Sequence, residues 1–183
     1  MKYILTSLLL FIGINCLSQE AYQLNIKVSG NMPSFEYIFD IHRDKENVKI
    51  YFSEYTGERN KLSESDMIKI DLLRHKKDRI AAENKEMERI FNSYKIFSTE
   101  CFNFSSKDPI IHISDSIINS KEEILNEIES NKNHIVLDAQ QIRVTAKPNN
   151  GNEYSYNIHA PDYTHHKLFA QFVDEVYKVL IDK

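Results

Sequence analysis

The chain has 183 residues, 42% of them hydrophobic and 11% aromatic, enough for one compact core and too few for two comfortable ones. Its 4 Gly and 4 Pro exclude collagen-like and Pro/Gly-rich disordered classes. With 23 Lys and Arg against 27 Asp and Glu the formal net charge is -4, which argues against a nucleic-acid binder, because such domains carry a basic surplus.

The N-terminus has the layout of an export signal. Lys2 precedes an apolar run from Tyr3 to Ile14, and polar Ser18-Gln19-Glu20 follows. A basic start, a short apolar stretch and small residues near a cut define a secretory signal peptide. The run is shorter than the ~20 apolar residues a membrane-spanning helix needs. Residues 1–18 therefore read as a signal peptide and residues 19–183 as a single α+β domain, secreted or periplasmic and bacterial in character. The lesser alternative is a lipid anchor at Cys16, since the segment loosely resembles bacterial lipoprotein signals. Asn15, however, stands where a small residue is expected. After cleavage Cys101 is the remaining cysteine, so no internal disulfide forms and the fold rests on its buried core.

The body opens with strands. Tyr22, Leu24, Ile26 and Val28 alternate with polar residues, as do Phe35, Tyr37, Phe39 and Ile41, then Val48, Ile50 and Phe52. Short polar connections make these an antiparallel meander. From Ser65 to Phe97 there is neither Gly nor Pro, and Met67, Ile70, Leu73, Ile80, Met87, Ile90, Phe91, Tyr94 and Phe97 keep helical spacing. One helix of that length would span roughly 50 Å, so a break is predicted near Lys76 to Asp78.

Residues 101–104 and 110–113 read as short extended segments. Ser120-Lys121-Glu122-Glu123 reads as a capping box opening a helix to about Ser130, with Ile124, Leu125 and Ile128 inward. Ile135, Val136 and Leu137 read as a strand. A hairpin follows: Ile142, Val144 and Ala146 pair with Tyr154, Tyr156 and Ile158 across Pro148-Asn149-Asn150-Gly151-Asn152. The chain closes with an amphipathic helix from about Thr164, whose stripe is Leu168, Phe169, Phe172, Val173, Val176, Tyr177 and Leu180, with Tyr163 stapled onto Leu168. Blocks of strands and helices predict an α+β fold: an antiparallel sheet of about five to seven strands, meander plus C-terminal hairpin, with helices covering one face.

Chemistry-bearing clusters are few. His159, Asp162 and His166, in the run from His159 to His166, offer metal-competent donors, but the spacing matches no zinc motif and suits a solvated helix start. Cys101 with His112 or His134 as base lacks a nucleophile signature, and its apolar surroundings favour a buried inert thiol. Arg74 to Arg79 is a basic run interrupted by acids, the pattern of a solvated helix face. Asn103-Phe104-Ser105 is a glycosylation sequon, and Asp115-Ser116-Ile117 is a three-residue match to a bacterial O-glycosylation acceptor. Tyr154 and Tyr156 lie on the hairpin face assigned to the core. No catalytic, cofactor-binding or metal site is assigned and no cofactor is implied. The sequence thus points to an exported, non-catalytic domain that binds another macromolecule, most simply a protein, with no nucleic acid and no membrane span after cleavage. An immunity-type inhibitor is one such form, and a small exported hydrolase using His159 to His166 is the alternative.

Overall fold

The computed structural model describes residues 21–30, 36–44, 47–134, 136–137 and 139–181. Residues 1–18, read above as a signal peptide, and with them Cys16, as well as Phe35 and Ile135, lie outside the described residues. Six strands form one sheet: β1 (Tyr22–Ser29), β2 (Glu36–Arg43), β3 (Val48–Arg59), β4 (Lys95–Phe104), β5 (Gln141–Pro148) and β6 (Tyr154–His159). Five helices accompany them: α1 (Glu64–His75), α2 (Ala81–Ser93), α3 (Pro109–Asn119), α4 (Lys121–Ser130) and α5 (Lys167–Ile181). None of the described helices is long and apolar enough to cross a membrane.

The sheet order is β4-β3-β2-β1-β5-β6, antiparallel throughout. The α+β architecture and the six strands agree with the sequence reading. β1 lies inside the sheet, with Ile26 opposite both Phe39 of β2 and Val144 of β5. Period-two alternation puts Leu24, Ile26, Ile41, Ile50, Ile142, Val144 and Ile158 on one face, all nearly inaccessible to water. Ile111, Ile117, Phe169 and Phe172 of α3 and α5 close over that face, and Ile124 adds the contribution of α4. Each large apolar side chain fully buried here contributes about 1.5–3 kcal/mol.

A charged tie fastens this layer to the sheet. Arg43 of β2, 4% exposed, pairs with Asp115 of α3, and the Tyr22 hydroxyl of β1 donates to the same carboxylate at 2.9 Å. Burial, and then the Asp115 charge, push the Tyr22 hydroxyl well above its ordinary pKa.

Several expectations are corrected. Residues 110–113 are helical, not extended. Pro109 at the first turn and the burial of Ile110, Ile111, Ser114 and Ile117 at helical spacing outweigh the β-branched composition. Ser120 makes no side-chain cap; it is the junction residue between α3 and α4. Leu125 is 45% exposed, and Val136 and Leu137 are exposed and outside any strand. α5 starts at Lys167, and Tyr163, 58% exposed, hydrogen-bonds Asp174 instead of stapling onto Leu168. Phe97 belongs to β4 rather than to a helix. The break after His75 falls where the length argument puts it. The Leu180 side chain is outside those described.

Candidate functional site

The outer face of the sheet carries the alternate residues: Gln23, Asn25 and Lys27 of β1, Asp40 and His42 of β2, Lys49 and Tyr51 of β3, Thr145 and Lys147 of β5. The main helical layer packs on the opposite side, so this face is free of it. Among the described residues, the one helical element not packed into the core layer is the pair α1–α2, inserted between β3 and β4. Those strands are direct antiparallel neighbours, and a short turn would suffice to join them. At the approach to the insertion the ladder shifts register between Tyr55 and Arg59, and Gly57 takes φ +85, a conformation other residues rarely adopt.

The insertion is a self-contained helical hairpin. Ser63 caps α1 by accepting from the Asp66 backbone N–H, and its own N–H donates to the Tyr94 hydroxyl at 3.0 Å. Tyr94 in turn donates to Asp66 at 2.7 Å, and Asn60 donates to the Tyr94 carbonyl at 2.8 Å, closing the base. Across the pair Lys69 meets Glu86 and Lys76 meets Glu83, each at 2.5 Å. Arg89 adds a two-pronged contact to Glu86 at 2.7 and 2.8 Å. Hydrogen bonds from Arg89 and then Lys69 lower the Glu86 pKa to about 2. The hairpin therefore neutralises much of its own charge.

Its apolar residues are not equally satisfied. Ile70 and Ile90 are buried, outside the main core. Met67, Ile68, Leu72 and Ile80 are exposed at 44, 56, 70 and 61%. Ile68 and Leu72, four apart, share one face of α1. A groove of about 210 Å³ runs along the pair, lined by Leu62, Met67, Ile70, Asp71, Arg74 and Phe91. The basic run Arg74 to Arg79 lies at the exposed turn between the helices, as a solvated segment should.

Between α2 and the outer sheet face is a polar cleft of about 440 Å³, lined by Glu88 and Asn92 on one side and by Lys27, Glu36, Lys95, Arg143, Asn157 and His159 on the other. Glu36, 5% exposed, pairs with Lys27 at 2.6 Å and with Lys95. Burial pushes its pKa up, but the two ammonium groups overcome that and hold it below its ordinary value. Arg143 donates to the Asn157 side-chain carbonyl at 3.2 Å.

The residues that the sequence singled out are distributed differently. His159 does not join Asp162: its Nε2 lies 3.0 Å from the Val136 carbonyl. His166 is buried, with its backbone N–H donating to Glu127 at 2.9 Å. Asp162 and His165 are instead joined by His134, whose place in the set sequence spacing did not reveal. Cys101 is exposed on the outer face of β4, not buried as expected, and the core-side helix α3 holds His112 on the other side of the sheet. Tyr156 is buried and Tyr154 packs against the core, donating to the Ile118 carbonyl, as the hairpin alternation predicts.

Compared with known protein families, curated proteins and solved structures, the chain matches none.

Proposed function

We propose that the protein is an exported, non-catalytic binding domain whose α1–α2 hairpin docks onto another protein. One observation carries this reading: an insertion between two directly paired strands leaves four large apolar side chains in water while its charges pair with one another. Ile68 and Leu72, exposed four apart on one face of α1, are spaced as a helix presents anchors to a partner. Internal charge pairing favours a protein partner with apolar side chains over an anionic lipid or nucleic acid, which would be recognised by a basic excess. The groove of about 210 Å³ is below the 300–1,000 Å³ usual for small-molecule pockets, yet admits a side chain. The export signal at residues 1–18 supports a partner outside the cytosol, and an immunity-type inhibitor is one such protein.

A photo-crosslinking side chain at Leu72 of the full chain, in its native cells, tests this, with the same group at exposed Tyr163 as control. The expected result is one protein adduct specific to position 72. That protein, once purified, should bind the parent chain and lose at least about tenfold in affinity toward Leu72→Asp, since a buried anchor residue is worth more than ~1 kcal/mol. No adduct at position 72, or equal affinity for parent and variant, refutes the reading.

A further inference from the structure

We propose that His134, Asp162 and His165 form a site for a divalent transition metal of the zinc class. The inference stands apart from the hairpin reading and shares no residue with it.

The donor set is the first reason. One ligand atom from each of the three residues lies within 4.8 Å of the others. Two imidazoles and a carboxylate are the donors zinc accepts, and three protein ligands leave a fourth position open. Bonds of about 2.0–2.2 Å put neighbouring donors of a tetrahedral ion roughly 3.3–3.5 Å apart. His165 Nδ1 already stands 3.2 Å from Asp162 Oδ2. The His134 and His165 rings stack with centroids 3.8 Å apart and planes 13° apart, so one ring must turn out of the stack for both in-plane lone pairs to meet on one ion.

The second reason is an orphan. His134 Nε2 is shielded from water and has no hydrogen-bond partner. A buried polar atom left unpaired is costly, and a cation in this position would satisfy it.

The frame around the cluster is fixed. Asp162 Oδ1 accepts from the Thr164 and His165 backbone N–H groups at 2.7 and 2.6 Å, and the Asp162 N–H donates to the His165 carbonyl at 2.7 Å. The His134 N–H donates to the Asn131 carbonyl at 2.8 Å, anchoring it to the end of α4. His166, the next residue in the loop, is held to Glu127 of the same helix. The ion would therefore clasp the β6–α5 loop to the turn after α4, two segments that β5 and β6 separate in sequence.

The test is calorimetric titration of zinc chloride into the untagged, EDTA-treated full chain, with melting curves in parallel. The expected result is one ion per chain, with the midpoint raised by about 5–10 °C at a hundredfold excess over Kd. His134→Ala and His165→Ala should each weaken binding at least tenfold, a loss typical of removing a ligand or its support. His75→Ala, at an exposed histidine of α1, should bind like the parent. Cobalt(II), as a spectroscopic probe, should give visible absorption in the parent that His134→Ala reduces, a readout independent of stability. No saturable binding by roughly 100 µM zinc, far weaker than structural zinc sites, overturns the proposal. Binding unchanged in both variants, or more than one equivalent ion, also overturns it.

Discussion

If the α1–α2 hairpin exists for recognition rather than for folding, residues 60–94 are removable. Arg59 and Lys95 already stand opposite one another in the ladder, so an Asn-Gly turn can join them directly. Two effects oppose each other. Shortening the connection from that insertion to two residues is about four halvings, each relieving about 0.6 kcal/mol of closure entropy, or ~2.5 kcal/mol in all. Against this, the outer face loses the cover that α1–α2 gives it, and uncovering Tyr55, now 6% exposed, costs about 1.5–3 kcal/mol. Every residue of the main core lies outside the excised segment. The shortened chain should therefore melt cooperatively within about 3 kcal/mol of the parent, a midpoint change below roughly 10 °C. Circular dichroism should show loss of helical signal with the strand signal kept. A product that aggregates, melts without cooperativity or loses more than about 5 kcal/mol would show the hairpin to be structural and would remove the main support for docking.

Other perturbations have definite signs. Asp115→Ala leaves the Arg43 guanidinium buried and unpaired, and chemical denaturation should report a loss of about 3–5 kcal/mol; Arg43→Met in the same chain should recover much of it, because the uncompensated charge goes too. Glu36 is held below its ordinary pKa, so its contribution is present above the unfolded value of about 4.3 and is lost as pH falls through the folded value; Glu36→Gln should flatten the acid limb of a midpoint-against-pH curve, and an unchanged limb would show that the lysine pair does not act on stability. Phe172→Ala should cost about 3–5 kcal/mol in urea unfolding, since the side chain is fully buried and meets Phe39 edge-on with centroids 5.5 Å apart.

The meander and the C-terminal hairpin were legible because alternation is a direct imprint of a sheet with one wet face: Leu24 and Ile26 cannot be inward unless Gln23 and Asn25 are outward. Where that imprint is ambiguous the reading failed. Ile110-Ile111-His112-Ile113 has the composition of a strand, and Pro109 before it together with packing against α5 makes it the first turn of α3. Val136 and Leu137 show the reverse, an apolar run that the fold leaves on the surface. Helical spacing identified Ile70 and Ile90 as inward but had no means to show that the hairpin is too small to hide Ile68 and Leu72. The histidine cluster was misjudged for a related reason. Neighbours in a tight turn diverge, so His159 and His166 point to different partners, while the ligand-like companion of His165 arrives from the end of another helix.

The place of β1 has a consequence for how this molecule comes into being. Of the six strands β1 comes first in the chain, yet its second edge waits for a segment more than a hundred residues downstream. Until residues 141–148 arrive, Ile26 and its neighbours have one ladder instead of two and nothing can seal the middle of the sheet. A chain threaded through a pore from its N-terminus would thus stay open, unable to lock prematurely, until most of it had passed. Such long-range pairing also makes closure slow, and slow closure favours passage before folding.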